Sequence, residues 1–135
     1  MSNETASPRK QHILIIEDDE PLRTLTADLL TLLGYDVTTA VDGLDGVDVA
    51  KRVHPDLILC DLLMPRMCGR EVYLALQEDP VTKSIPFVVT SAKADQESIR
   101  SNLAAGAHAY LVKPFTKKEL LAVIEPSLKP GSRKS

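Results

Sequence analysis

Apolar residues come in two kinds of run along this chain, short unbroken blocks and longer stretches in which they recur every three or four positions. The blocks are His12 to Ile16, Leu57 to Asp61 and on to Pro65, Ile85 to Thr90, and Ala109 to Val112. Continuous runs of this length predict strands buried on both faces. Tyr35 to Ala40 instead alternates and carries Thr38 and Thr39, which predicts a less buried edge strand.

Between the blocks the spacing is helical. Asp19 or Glu20 can cap a helix begun by Pro21, with Leu22, Leu25, Leu29, Leu30 and Leu33 on one face and Gly34 as its stop. Asp42 and Gly43 open a second helix through Leu44, Val47, Ala50 and Val53, weakened by Gly46 at about 1 kcal/mol relative to Ala. A third helix spans 69–79, with Val72, Tyr73 and Leu76 inward and Pro80 ending it. Asp95 caps a fourth, with Ile99 and Leu103 inward and Gly106 at its end. Thr116 and Glu119 form a capping box for a fifth, through Leu120, Leu121 and Ile124, which Pro126 should end early. Five strands alternating with five helices predict an α/β fold, a five-stranded parallel sheet covered on both faces, for which we choose the strand order 2-1-3-4-5.

At 135 residues and 44% apolar the chain has room for one compact domain. We expect it over residues 11–128, between a flexible arm at 1–10 and a flexible basic tail at 129–135. The ends carry net charges of +1 and +3 against −3 for the whole chain, leaving the body at −7. An acidic body argues against a nucleic-acid surface and suits cation binding. No apolar run approaches the roughly 18 to 20 residues of a membrane span, and a secretory leader is missing, so a cytoplasmic protein is expected. Cys60 and Cys68 lack metal-type spacing and read as reduced thiols.

The chemistry sits where strands end. Asp61 is a lone carboxylate at the carboxyl end of an apolar strand, where open α/β sheets bind ligands. The competing reading makes it a turn or helix cap. Glu17, Asp18, Asp19 and Glu20 follow the first strand; capping explains one and helix-dipole attraction a second, not four. Ser91 follows the fourth strand and Lys113 the fifth. Singly, a strand-end lysine or serine is usually a solvated or turn residue. Together, carboxylates around one point suit Mg²⁺, while an ammonium and a hydroxyl suit phosphoryl oxygens. An Asp carboxylate can then accept phosphate covalently.

From about His12 to Glu125 the sequence closely resembles the receiver domains of two-component response regulators, of which CheY is the single-domain type. The resemblance implies Asp61 as phosphoacceptor, Glu17 and Asp18 as the acidic pair, Ser91 and Tyr110 as switch residues, and Lys113 as the lysine before a proline. It implies Mg²⁺ on Asp18, Asp61 and the Leu63 carbonyl, with Glu17 acting through water, and a cis Lys113–Pro114 bond. Met64, Pro65 and Gly69 match the loop after the acceptor; Cys68 and Gly46 depart from the usual Asp and Ala. His12, His54 and His108 match no family site.

The implied function is a phosphorylation-dependent switch rather than an enzyme. A sensor histidine kinase or histidine phosphotransfer protein would supply the phosphoryl group, and a downstream protein would bind the face of helix 4, strand 5 and helix 5. An excised receiver of a larger regulator or hybrid kinase is the alternative reading. A phosphatase with an aspartyl-phosphate intermediate is remote, because 135 residues leave no substrate cap. An FMN carrier is disfavoured by the acidic loop after the first strand.

Overall fold

The computed structural model describes residues 10–128. The expected arm and tail therefore lie outside the described residues, apart from Lys10. Among the described residues, β1 (His12–Ile16), α1 (Glu20–Leu32), β2 (Asp36–Ala40), α2 (Gly43–Val53), β3 (Leu57–Asp61), α3 (Gly69–Gln77), β4 (Phe87–Ser91), α4 (Gln96–Ala104), β5 (Ala109–Val112) and α5 (Lys117–Leu128) follow one another. The strands pair in parallel, as the alternation predicts, and in the chosen order β2-β1-β3-β4-β5.

Period-two alternation divides the sheet into two packed layers. Leu14, Ile16, Ile58, Cys60, Phe87 and Val89 face α2 and α3 through Val49, Ala50, Val72, Tyr73 and Leu76. Ile13, Ile15, Leu57, Leu59 and Val88 face α1 and α5 through Leu30, Leu120 and Ile124. β2 lies at the edge and is the least buried strand on that side, as its threonines predict.

Most helix ends follow the expected chemistry. Asp19 caps α1 by accepting from the Leu22 N–H at 3.1 Å, Asp42 caps α2 and Asp95 caps α4. Thr116 and Glu119 exchange both bonds of a capping box.

Four expectations are corrected. Leu25, Leu44 and Leu103 point to solvent, where Thr26, Gly46 and Asn102 are buried instead. Helices packed on a flat sheet present a narrow stripe, and small or self-satisfied polar groups suffice at close approach; Asn102 donates to the Ser98 carbonyl of its own helix at 2.8 Å. Pro126 does not end α5. It lies on the exposed face, and the final turn is held by the Ser127 hydroxyl on the Val123 carbonyl at 2.9 Å and by Leu128 against the core. α3 stops at Gln77, two residues before the expected end, as the chain tightens into a turn ahead of Pro80. The fourth strand is one to two residues later than expected, and Ser91 is its last residue.

Candidate functional site

Four strand ends form one rim. β1 leads directly into Glu17, Asp61 ends β3, Ser91 ends β4, and Lys113 follows β5. The register sets Ile16 beside Cys60, Asp61 beside Thr90 and Ser91 beside Val112, so the ends are level across the sheet. Backbone bonds extend the ladder past the strands: Glu17 N–H donates to Ala40 at 3.1 Å, Leu62 N–H to Thr90 at 2.8 Å, and Lys113 N–H to Ser91 at 2.8 Å. The residues that carry charge are thus held by sheet geometry and not by loop chance.

Lys113 brings two of the acids together. Its Nζ lies 2.8 Å from Glu17 Oε1 and 3.2 Å from Asp61 Oδ1. Both carboxylates are buried, and the lysine is half-buried. Burial pushes the Glu17 carboxyl above its ordinary range, against the hydrogen bond from Lys113; the Asp61 charge then adds to the rise. For Lys113 burial acts downward, but the bond to Glu17 and the charge of Asp61 outweigh it and hold the ammonium above its ordinary value.

Asp18 completes the acidic group from the exposed side. One oxygen each of Glu17, Asp18 and Asp61 falls within 4.8 Å of the others. With all three acids ionised, three carboxylates against one ammonium leave an excess of two negative charges. A donor set of hard oxygens with that excess fits a dication, and suits Mg²⁺, which takes few protein ligands and keeps water on the rest. Capping does not account for these acids: Asp19 caps α1, and the residue at the cap of α3 is Cys68, not Asp61. Glu17 Oε2 also accepts from the Asp19 N–H at 3.2 Å, which ties the acid run into a tight corner.

The remaining expected residues surround this centre. Leu63 is in the loop two residues past Asp61 with its side chain exposed, and Met64 is buried beside it. That loop returns closely onto Asp61: Gly69 N–H donates to the Leu62 carbonyl at 2.8 Å, and a Cβ at Gly69 would stand 2.6 Å from the Asp61 carbonyl oxygen. Only glycine permits the approach. Ser91 is buried, and its Oγ accepts from the Lys93 N–H at 3.1 Å; the Tyr110 hydroxyl donates to the Lys93 carbonyl at 2.9 Å. The Lys113–Pro114 peptide is cis. Cys60 is buried, with its thiol pushed well up by desolvation and the Asp61 charge, and Cys68 is a free thiol.

Two basic residues escaped the sequence reading. Arg23 donates from Nη1 to the Glu17 carbonyl at 2.8 Å. Arg66, in a left-handed conformation at φ 69°, pairs with Asp42 at 2.7 Å and ties the loop after β3 to the cap of α2. A signal existed for Arg23: a cation in the first turns of a helix runs against the macrodipole and needs a local partner.

The response regulator receiver domain family matches residues 13–125. RpaA of Synechocystis sp., a DNA-binding dual master transcriptional regulator, is 37% identical over 121 residues, 90% of this chain and 50% of that protein. The chain thus spans about half the length of such curated relatives. Protein PilG of Pseudomonas aeruginosa is 33% identical over 121 residues, 87% of this chain and 90% of PilG. Among solved structures, the receiver domain of a sensor histidine kinase from Pseudomonas aeruginosa PAO1, described with a magnesium ion in its active-site cleft, is 31% identical with a TM-score of 0.81, covering 89% of this chain and 98% of that one. No described helix is long and apolar enough to cross a membrane. Sheet order, strand-end acids and these likenesses agree: the chain belongs to the response regulator receiver domains, the switch modules of two-component signalling.

Proposed function

We propose that the chain is a Mg²⁺-dependent phosphoacceptor switch with Asp61 as its acceptor. The observation that carries this reading is the Lys113 ammonium between Glu17 and Asp61, with Asp18 close enough to share an ion with both. Asp18, Asp61 and the Leu63 carbonyl would hold Mg²⁺, with Glu17 acting through water. The ion supplies neutralising charge for the incoming phosphoryl group.

An Asp61 oxygen attacks the phosphorus of a phosphohistidine on a sensor kinase or phosphotransfer protein. The new P–O bond forms as the P–N bond breaks, and the electron pair leaves on the imidazole. Lys113 then exchanges its bond to Asp61 for one to a phosphoryl oxygen, and Ser91 contributes its hydroxyl. Either change loosens the Ser91–Lys93–Tyr110 linkage, and a bistable α4–β5–α5 face would carry the difference to a downstream protein. The receiver spans residues 11–128 in this reading and works in the cytoplasm without turnover of its own. Because relatives such as RpaA are DNA-binding, a nucleic-acid output through a further domain stays compatible with an acidic receiver.

Incubation of the chain with a small acyl phosphate and Mg²⁺ should add one phosphoryl group. Asp61→Asn should take none, and EDTA should stop the wild type. Labelling that persists in Asp61→Asn would overturn the assignment.

A further inference from the structure

The acidic pair is carried on one peptide unit, the Glu17–Asp18 bond, at the point where β1 gives way to α1. Its carbonyl has left the sheet and has not entered the helix, so the backbone ladder does not orient it. Arg23 does: half-buried in the first turns of α1, it reaches back to the Glu17 carbonyl oxygen at 2.8 Å. The same corner is closed by the Asp19 N–H on Glu17 Oε2 at 3.2 Å and by the Arg23 N–H on the Asp19 carbonyl at 2.9 Å. Arg23 therefore holds the peptide plane from which both carboxylates project.

Two consequences of that guanidinium oppose each other. Its positive charge repels a dication, while its hydrogen bond fixes the acids in the arrangement a dication needs. The charge is partly open to water and screened, whereas a direct short hydrogen bond is not weakened in the same way. We infer that Arg23 is a positioning residue for the metal-binding acids, acting through its bond to the Glu17 carbonyl and in spite of its charge. The inference rests on the Mg²⁺ reading above and adds to it a residue that touches neither the ion nor the phosphate.

The opposed signs make the test decisive. Mg²⁺ titration of the unphosphorylated chain by calorimetry, for wild type, Arg23→Met and Arg23→Lys, reads affinity without any phosphodonor. Arg23→Met keeps the stem and removes bond and charge; it should weaken Mg²⁺ binding roughly tenfold, the scale found for groups that orient metal ligands. Arg23→Lys keeps a donor and should recover most of the loss, and the three proteins should melt alike in EDTA. Arg23→Met binding Mg²⁺ as tightly as wild type or more tightly would show that charge decides and overturn the inference. So would an Arg23→Lys as weak as Arg23→Met, or a large fall of the Arg23→Met melt in EDTA, which would make the role purely structural. A wild type that binds no Mg²⁺ would instead remove the metal reading itself.

Discussion

Ser91 and Tyr110 are joined through the backbone of one residue: Ser91 Oγ accepts from the Lys93 N–H at 3.1 Å, and the Tyr110 hydroxyl donates to the Lys93 carbonyl at 2.9 Å. A side chain at the strand-end rim beside Asp61 and a ring on β5 therefore share one loop residue. The two bonds hold Lys93, in the loop that leads into α4, at both its N–H and its carbonyl.

Removing either bond should cost about 1 kcal/mol of stability. The shared partner makes the losses non-additive, so a double-mutant cycle of Ser91→Ala and Tyr110→Phe should show a coupling of about 0.5 kcal/mol or more. Both single variants should still accept phosphate on Asp61 but lose the difference in partner affinity between the two forms. Strict additivity in urea unfolding would mean that the Lys93 linkage transmits nothing.

Stability without metal should fall with rising pH in one window. The Glu17 carboxyl is held above its ordinary value of 4.5, by burial first and the Asp61 charge after it. Between that value and the raised one, the folded chain keeps a proton that the unfolded chain has released. Stability therefore drops as pH climbs through the window and levels off above it. Glu17→Gln should lose this slope in EDTA. Lys113 works at the other extreme: its raised value keeps its contribution complete below pH 10.5 and withdraws it only at higher pH. A Glu17→Gln melt that tracks wild type across mildly acid pH would contradict the first half of this account.

Asp18 should set stability against function. Two carboxylates roughly 4 Å apart repel by about 4 kcal/mol at an effective dielectric near 20, and the exposure of Asp18 reduces this to about 1 kcal/mol. Asp18→Asn should raise the melting temperature in EDTA, shrink the rise that Mg²⁺ gives the wild type, and slow phosphorylation. An Asn variant that is less stable in EDTA, or equally responsive to millimolar Mg²⁺, would return Asp18 to the status of an ordinary surface acid.

Gly46→Ala tests packing beneath the site. Helix propensity alone predicts a gain of roughly 1 kcal/mol. A Cβ at position 46, however, would stand 2.5 Å from Ile16 Cδ1, 2.8 Å from Cγ1 and 3.0 Å from Cγ2. Ile16 is fully buried and directly precedes Glu17, so it has no room to yield. The variant should lose about 1 to 3 kcal/mol in denaturant unfolding, and a stabilised variant would show that the core relaxes freely there.

The covered parallel sheet and the placement of Glu17, Asp61, Ser91 and Lys113 at strand ends were legible in the order of residues. The reason is local: continuous apolar blocks can satisfy their backbone and bury both faces only in a covered parallel sheet. Caps were legible for the same reason, since Asp19, Asp42, Asp95 and Thr116 bond to N–H groups three residues away. What tertiary structure decided depends on contacts between distant segments. Gly46, which reads as a helix defect, lets α2 approach Ile16 more closely than a Cβ at that position would allow. Pro126, which reads as a stop, survives inside α5 on its exposed face while Ser127 and Leu128 hold the turn. Leu25, Leu44 and Leu103 fit a helical stripe but miss the sheet, because a helix face is chosen by what lies opposite it. Above all, the partition of Lys113 between Glu17 and Asp61 joins residues 96 positions apart, and Arg23 meets Glu17 only after the chain turns its corner. Residue order supplies the charges; only the folded sheet sets which of them face one another, because Coulomb and hydrogen-bond energies depend on separation in space and not along the chain.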